Sequence, residues 1–233
     1  MLKKKLSVIV PVYNEEKTII ATLKRLEETK DTRVEYEIIV INDGSTDNTL
    51  KMLKSNVNLY QHLIDGKQNL GKGYAVKRGI LASRYEWIVT CDLDMSVLPD
   101  QFLIWKKKKF INNNKYAYFG SREKKNSVVQ ALFSRRIVGF ILHLFVLALF
   151  NVKTSDTQCG FKVFHSNYIK KIFKKIKMKG YVYDVEVVLA LKKKDIQIVE
   201  LPLTWIHKGG SKVNLISDSV RFFFDLIVLK IRY

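Results

Sequence analysis

Two aspartates separated by one residue, Asp92 and Asp94, are the side chains of this sequence best placed to do chemistry. They follow residues 87–91, a mostly apolar run that predicts a short buried strand. In an open parallel sheet, ligands bind at the carboxyl ends of the strands. Two neighbouring carboxylates repel each other, and a divalent cation with oxygen ligands, Mg²⁺ or Mn²⁺, would hold both ionised. An interpretation without a ligand also stands, in which Asp92 ends the strand and Asp94 caps the next turn.

The elements that must position this pair are strands alternating with helices. Apolar runs predict a first strand at 6–12, a second at 36–41 and a weak third around 57–61. Apolar residues at helical spacing predict the helices between them. Consecutive βαβ units form parallel sheets whose loops gather at one edge. The predicted fold class is therefore α/β, with a mainly parallel central sheet flanked by helices.

The loops at that edge carry further polar residues. Asp43 follows the second strand, where it could accept hydrogen bonds from a uracil or guanine ring or from a ribose. An Asp-Gly turn with Ser45 as a helix cap explains the same residues. Lys72 and Gly73 belong to a loop of the kind that approaches a phosphate. The sequence has neither Gly-x-x-x-x-Gly-Lys-Ser/Thr nor Gly-x-Gly-x-x-Gly, so a P-loop ATPase and a dinucleotide-dependent oxidoreductase are not supported.

The composition favours one globular domain with a polyanionic partner. Lysine and arginine total 41 against 22 aspartates and glutamates in 233 residues, which gives a net charge of +19. This charge suits nucleic acid, an anionic membrane or a phosphorylated substrate without choosing among them. Cys91 and Cys159 lack metal-ligand spacing, and the absence of a disulfide framework favours a reducing cytoplasm. The N-terminus shows no cleavable signal.

Two apolar segments indicate contact with a membrane surface. Residues 137–150 are apolar apart from His143 but fall short of the roughly 20 residues of a membrane-spanning helix. A helix over 213–233 would carry a narrow polar stripe on an otherwise apolar surface. The pattern predicts a peripheral, monotopic protein on an anionic cytoplasmic leaflet, with no transmembrane span; a core helix with a homo-oligomer contact is the alternative. The stripe consists of Asp218, Arg221, Asp225 and Arg232.

Four motifs resemble, in order and spacing, those of family 2 glycosyltransferases with the GT-A fold. They are Ser7-Val-Ile-Val-Pro-Val-Tyr-Asn-Glu15, Val40-Ile-Asn-Asp-Gly-Ser-Thr-Asp47, Asn69-Leu-Gly-Lys-Gly73 and Asp92-Leu-Asp94. Motifs in the second half are similar to those of polyprenyl-phosphate hexose transferases, the dolichyl-phosphate glucosyl- and mannosyltransferases among them. They are Gly120-Ser-Arg122, Arg135-Arg136, Asp156-Thr-Gln-Cys-Gly-Phe-Lys162, Tyr183-Asp-Val-Glu186 and Trp205-Ile-His-Lys-Gly-Gly-Ser-Lys212.

The resemblance implies transfer of a hexose from a nucleotide diphosphate to a polyprenyl or dolichyl monophosphate, with inversion at the anomeric carbon. It favours glucose from UDP-glucose, and mannose from GDP-mannose is the alternative. It implies a GT-A domain over 1–212, with a nucleotide-sugar half (about 1–97) and an acceptor half (about 98–212), before the amphipathic helix. Mg²⁺ or Mn²⁺ is the implied cofactor, held by Asp92 and Asp94 with Ser96 beside them.

The family positions also imply the other site residues. Asp92, Asp94 and Asp156 become the catalytic carboxylates. A phosphate monoester is already largely a dianion at neutral pH, so it needs cations that hold it in line and no strong general base. Acceptor phosphate binding is assigned to Arg122, Arg135, Arg136 and Lys208. Nucleotide-sugar binding is assigned to Pro11, Tyr13, Glu15, Asp43, Lys72, Gly73 and Asp92.

Other interpretations stay open. A nucleic-acid-binding protein would explain the charge, but the basic residues form no recognisable motif with aromatic residues, so nucleic acid is not expected as a partner. A processive transferase of the same fold would carry Gln-x-x-Arg-Trp, which the sequence lacks. The intact Asp92-Leu-Asp94 disfavours a catalytically silent interaction protein. For Asp184 and Glu186, a structural ion pair with a lysine is as good an interpretation as catalysis.

Overall fold

The computed structural model describes residues 4–130, 133–206 and 215–233, with side chains for all of these except 133–138, 140 and 215–217. The strands are β1 (Lys4–Val12), β2 (Val34–Asn42), β3 (His62–Asp65), β4 (Trp87–Thr90), β5 (Ala117–Ser121), β6 (Val128–Gln130), β7 (Lys162–His165), β8 (Ile198–Pro202) and β9 (Thr204–Ile206). The helices are α1 (Ile19–Glu28), α2 (Thr49–Lys54), α3 (Lys72–Ala82), α4 (Gln101–Lys107), α5 (Phe133–Phe150), α6 (Ser166–Lys175), α7 (Tyr183–Lys192) and α8 (Leu215–Arg232).

A seven-stranded sheet forms the centre of the molecule, in the order β3-β2-β1-β4-β7-β5-β8. Its strands pair in parallel, except that β7 runs antiparallel to both β4 and β5. β6 and β9 form a separate parallel pair. The predicted α/β class, with a mainly parallel sheet flanked by helices, is confirmed.

Both faces of the sheet are buried, which explains the uninterrupted apolar runs of its central strands. Along β1, Val8 and Val10 belong to one core and Ile9 to the other. The first core packs against α1, α2 and α4, and the second against α3, α5, α6, α7 and α8. The sheet is therefore the middle layer of three.

The order of the strands reverses beside β1. The chain moves outward from β1 through β2 to β3, and β4 then joins β1 on its other side. Such a reversal leaves a crevice outside the carboxyl ends of the strands, where ligands bind in open α/β sheets. Tyr13 directly follows β1, and Asp92 lies just beyond the end of β4. The fold thus delivers two of the predicted ligand loops to one crevice.

The third strand lies further along the chain than the sequence predicts. Val57–Leu59 form a 3₁₀ turn and β3 begins at His62, whereas a strand was expected around 57–61. The Val57 side chain is 63% exposed, so it has no core to join. Pairing with β2 begins only after this turn, where the Gln61 amide donates to the Ile38 carbonyl at 3.0 Å.

The two apolar helices expected near a membrane, α5 and α8, pack against each other. The rings of Phe145 and Phe223 lie 5.2 Å apart between their centroids. Phe222, Leu226 and Leu229 on another side of α8 are buried in the second core, so α8 is built into the domain that it was expected to follow. Within the described residues, no helix combines the length and the apolar character that a membrane crossing requires.

Candidate active site

A cavity of about 830 Å³ opens at the crevice beside β1 and β4, within the size range of small-molecule sites. Its walls come from α1, the loops after β1, β2 and β4, the start of α3, the turn before α7 and the polar side of α8. The structure therefore brings together the loops that the motifs assign to the nucleotide sugar. The predicted residues that line the cavity are Pro11, Tyr13, Glu15, Asp43, Lys72, Asp92 and Asp94.

Asp43 ties the loop after β2 to the start of α3. It is buried, and its carboxylate oxygens accept hydrogen bonds from the amides of Leu70 (3.2 Å) and Gly71 (2.8 Å). Gly71 has φ +98°, a conformation that other residues rarely adopt, so this turn requires glycine. Each carboxylate oxygen keeps a further lone pair for a ligand in the cavity. This structural role differs from the expected Asp-Gly turn with Ser45 as a helix cap, because α2 begins only at Thr49. The contact with a base or ribose stays a prediction.

Lys72 and Asp92 form an ion pair in the cavity wall. Lys72 Nζ lies 2.6 Å from Asp92 Oδ1, and the side chains are 23% and 40% exposed. Desolvation opposes the ionisation of Asp92, but the charge of Lys72 outweighs it, so the pKa of Asp92 lies below its ordinary value. Desolvation likewise opposes the charge of Lys72, and Asp92 nevertheless raises its pKa. Both groups are therefore charged at neutral pH.

Asp94 is an exposed carboxylate that Ser96 orients. Its two oxygens accept hydrogen bonds from the amide (2.9 Å) and the hydroxyl (2.8 Å) of Ser96. The described part of the chain has no group of three or more His, Cys, Asp or Glu side chains that could hold a metal ion. Asp92 and Asp94 still fit Mg²⁺ or Mn²⁺, because Mg²⁺ commonly takes one or two protein carboxylates and completes its shell with substrate phosphates and water. The Lys72 ammonium shows that Asp92 accepts a cation here.

Gly160 leaves the space that the Asp92 carboxylate occupies. A Cβ atom at residue 160 would lie 2.3 Å from Asp92 Oδ2, closer than any side chain tolerates. The Thr90 hydroxyl at the end of β4 donates to the Gly160 carbonyl at 2.9 Å and fixes the two segments together. The motif from Asp156 to Lys162 therefore supports Asp92 through a close backbone approach.

Arg122 and Asp156 form a second ion pair, and neither is among the residues that line the cavity. Arg122 Nε and Nη2 donate to the two Asp156 oxygens at 2.8 and 2.9 Å, and the Arg122 amide adds a bond of 3.1 Å. Burial opposes the ionisation of Asp156, but these bonds with Arg122 outweigh it and lower its pKa. The Trp205 ring lies 5.9 Å from the guanidinium. Asp156 is thus occupied in holding Arg122, whose charge also acts on Asp92.

Asp184 and Glu186 both hold the framework of the site. Asp184 pairs with Lys162 at 2.6 Å, with side chains 4% and 2% exposed, and this is the ion pair with a lysine that the sequence left open. Burial raises the pKa of Asp184 despite the charge of Lys162. Glu186 accepts hydrogen bonds from the amides of Lys177 and Met178. These bonds fix the turn between α6 and α7 that reaches the cavity.

The other predicted residues lie elsewhere. Gly73 is buried in α3, where a Cβ atom would lie 2.5 Å from Tyr183 Cβ, so the observed need for glycine is close packing. Ser96 is buried behind Asp94. Arg135 and Arg136 belong to α5, but their side chains are outside the described residues, and Lys208 is outside them altogether.

The cavity also contains residues that the motifs do not assign. Tyr181 lies in the turn before α7, and Asp218, Arg221, Phe222 and Asp225 lie on α8. The sequence pattern assigns the polar stripe of α8 to the aqueous side of a membrane helix, whereas the structure turns its first three members toward the cavity. The stripe itself is the signal that could have found them, because polar residues on an otherwise apolar helix must face water or a ligand site.

The sequence of this chain is similar to those of known glycosyltransferases. The model of the family described as Glycosyl transferase family 2 matches residues 7–173. A dolichyl-phosphate beta-glucosyltransferase of Dictyostelium discoideum is 35% identical over 246 residues, which cover 98% of this chain and 74% of that protein. Proteins of the same name from Saccharomyces cerevisiae and Homo sapiens are 34% and 32% identical, over 98% and 99% of this chain and 75% and 76% of their own.

Solved structures show the same fold. Glucosyl-3-phosphoglycerate synthase from Mycobacterium tuberculosis, in complex with Mn²⁺, UDP-glucose and phosphoglyceric acid, has a TM-score of 0.71 at 18% identity, over 97% of this chain and 80% of its own. Its complex with Mg²⁺ and UDP has a TM-score of 0.70 at 17% identity, over 97% and 79%. At such identities the likeness concerns the fold alone, and the predicted GT-A fold is confirmed.

Proposed function

The chain belongs to glycosyl transferase family 2, and we propose that it transfers glucose from UDP-glucose to dolichyl or another polyprenyl monophosphate, with inversion at the anomeric carbon. The observation that carries the proposal is the Lys72–Asp92 pair, which lines the cavity together with Asp94 at the reversal of the sheet. The names of the curated relatives, which match nearly the whole chain, support glucose as the sugar and dolichyl phosphate as the acceptor.

The donor would lie between the loops after β1, β2 and β4. Tyr13 and Asp43 line the part that suits the nucleoside, and the diphosphate would lie against Lys72 and the two aspartates. A divalent cation held by Asp92 and Asp94 supplies, when bound, charge stabilisation for the departing nucleotide diphosphate. Lys72 adds a positive charge beside the same carboxylate and can donate to a phosphate oxygen. With a cation bound, Lys72 and that cation would together place positive charge where the leaving group develops negative charge.

The acceptor phosphate must lie opposite the leaving diphosphate, in line with the anomeric carbon. As a dianion it attacks without first losing a proton. Arg122 is a cation prepared for this phosphate, since Asp156 fixes its guanidinium and Trp205 lies beside it. We therefore assign Asp156 to positioning Arg122, in place of the catalytic role that the motif implied. The other proposed phosphate ligands are Arg135, Arg136 and Lys208.

The side of α5 and α8 that faces away from the core would meet the membrane. Large apolar side chains are exposed there, Phe224 at 62% and Ile231 at 81%. Together with a net charge of +19, such a patch suits the surface of an anionic bilayer, where a lipid-linked acceptor resides. We propose peripheral binding to the cytoplasmic leaflet through this patch. Its other members are Ile141, Leu144, Phe145, Val220, Phe223, Ile227 and Val228.

Transfer can be tested with labelled UDP-glucose and labelled GDP-mannose, each with and without Mn²⁺ or Mg²⁺ and a polyprenyl phosphate. The expected result is label from UDP-glucose in the organic phase, only when both the divalent cation and the lipid phosphate are present. If only label from GDP-mannose entered the organic phase, the transferred sugar would be mannose and not glucose, and the rest of the proposal would stand. Absence of lipid-linked label from both donors would overturn it.

Membrane binding has its own test. The double variant Phe224→Asp, Ile231→Asp places two charges in the apolar patch and should bind vesicles that contain phosphatidylserine at least about tenfold more weakly, because burial of each such side chain contributes about 1.5–3 kcal/mol. Co-sedimentation with the vesicles measures the change. Val57→Asp is the matched control, since Val57 is as exposed (63%) but lies in the turn before β3. Equal binding by the two variants would remove α8 from the proposed surface.

A further inference from the structure

The helix α8 presents two different surfaces at once. Its apolar residues around Phe224 are exposed, and its polar residues line the cavity that also contains Lys72 and Asp92. Asp218, Arg221 and Asp225 lie three and four residues apart, so they form one row along the helix. A helix that was expected to lie at a membrane surface therefore also supplies a wall of the candidate active site.

Arg221 is the positive charge of this row. Its charge acts on Asp225 and on the Tyr181 hydroxyl. No hydrogen bond or close ion pair with another residue in the described part of the chain fixes its guanidinium. Lys72 differs, because its ammonium is already held 2.6 Å from a carboxylate oxygen. Arg221 thus has donors available to a ligand in the cavity.

Tyr181 shows where that ligand would lie. The charges that act on its hydroxyl come from Lys72 and Asp92 at the ends of α3 and β4, and from Asp218 and Arg221 on α8. Tyr181 lines the same cavity as Lys72 and Arg221. An anion bound in this cavity beside Lys72 and Tyr181 would therefore share the cavity with Arg221.

We propose that Arg221 binds a phosphate group of one of the two substrates, so that the membrane-facing helix also supplies a phosphate ligand. This inference rests on the proposed function, in which both substrates carry phosphate. A guanidinium matches phosphate because it offers paired N–H donors in a fixed plane. The phosphate can come from the donor diphosphate beside Lys72. It can also come from the acceptor, whose lipid tail would follow the apolar side of α8, where Phe224 lies three residues beyond Arg221.

Direct binding measurements test the proposal without relying on turnover. Dissociation constants of the full chain are measured for UDP and uridine in the presence of Mn²⁺, and for farnesyl phosphate and farnesol in detergent. Arg221→Gln should weaken the binding of UDP or of farnesyl phosphate about tenfold, and leave uridine and farnesol within twofold. The compound affected identifies the source of the phosphate. Arg221→Lys keeps the charge and should recover part of the loss.

A structural role for Arg221 predicts a different pattern. If Arg221 only balances the charges of Asp218 and Asp225, Arg221→Gln would change the dissociation constants of a phosphate compound and of its phosphate-free partner by the same factor, or would change neither. Either result would overturn the proposal. Arg33→Gln removes the same charge from an exposed pair with Asp31 and should change nothing. Absence of glucosyl transfer by the wild type would defeat the proposed function, while the contrast between UDP and uridine would still decide whether Arg221 binds phosphate. Circular dichroism confirms that the variants are folded.

Discussion

Two lysine–aspartate pairs of equal length lie in very different surroundings. Lys72–Asp92 and Lys162–Asp184 both have N–O distances of 2.6 Å. The first pair lies in the cavity wall with side chains 23% and 40% exposed, and the second is almost dry, at 2% and 4%. Burial raises the pKa of Asp184 despite Lys162, whereas at Asp92 the charge of Lys72 outweighs desolvation and lowers the pKa.

The difference in exposure indicates that Lys72–Asp92 can take part in the reaction and that Lys162–Asp184 stabilises the fold. A pair that is open to a cavity can be parted at small cost, because water and ligands replace the lost partner. A dry pair cannot be parted in this way, since separation leaves an uncompensated charge in the interior. Asp92 is therefore available to exchange Lys72 for other cations during a reaction. Asp184 holds β7 to α7 beneath the cavity, and substitutions in the two pairs should affect different measurements.

Asp92→Asn should have the largest effect, and the effect should fall on turnover. The amide keeps the shape of the side chain but loses the charge that attracts Lys72 and a divalent cation, which is worth several kcal/mol to the transition state. Transfer of labelled glucose should fall at least about 1,000-fold, while the free energy of unfolding in urea stays within about 1 kcal/mol. Asp195→Asn, at an exposed aspartate before β8, is the control. Wild-type turnover by Asp92→Asn would reduce the pair to a surface salt bridge.

Asp184→Ala should act on stability. It leaves the Lys162 ammonium buried without its carboxylate, with a hydrogen bond to the Cys159 carbonyl still in place, and the free energy of unfolding should fall by about 3 kcal/mol. Urea denaturation followed by circular dichroism measures the loss. The double variant Lys162→Met, Asp184→Leu removes both charges and should regain most of it. If the single variant were as stable as the wild type, the buried pair Lys162–Asp184 would contribute no more to the free energy of unfolding than the exposed pair Lys72–Asp92.

The same contrast explains what the sequence could predict. The loops after β1, β2 and β4 were found because each follows its own apolar strand, so that local pattern and position at the sheet edge coincide. The four-residue β7 begins with the buried Lys162, whose partner Asp184 lies on α7 and cannot be identified from the local pattern. Nothing in the local pattern shows that this strand runs antiparallel between β4 and β5.

The residues on α8 illustrate a second limit. The periodicity correctly predicts a helix with a narrow polar stripe, but it cannot say what the stripe faces. That depends on α8 packing beside α5, which lies far earlier in the chain. Arg221 and Asp225 therefore reach the cavity through tertiary contacts alone. Likewise, the motif around Asp156 predicts the residue but not its bond with Arg122.

Asp156→Asn tests a third pair, intermediate between the other two, and should raise the KM for polyprenyl phosphate about tenfold. Arg122 is 35% exposed and Asp156 5%, so Arg122 can meet a ligand while Asp156 holds it from inside. The amide loses one strong charged hydrogen bond and leaves the guanidinium less well oriented. Initial rates against acceptor concentration measure the change, and the KM for UDP-glucose should stay within twofold. Asp31→Asn breaks a similar pair with Arg33 at the surface and should leave both constants unchanged. An unchanged KM for the acceptor would mean that Arg122, like the pair Lys162–Asp184, stabilises the fold and does not bind the acceptor.

The smallest expected effect is on the acid sensitivity of folding. Because Arg122 lowers the pKa of Asp156, the folded protein binds fewer protons there than the unfolded chain does. The stabilisation from this carboxylate is therefore complete above its ordinary pKa of 3.8 and is lost as the pH falls through the lower folded value. Asp156→Asn lacks this contribution, so its free energy of unfolding should fall less steeply below about pH 5, by at most about 1.4 kcal/mol per pH unit. Urea denaturation at successive pH values measures both slopes. Identical slopes would mean that Arg122 does not favour the ionised carboxylate, and the orientation of Arg122 would then need another cause.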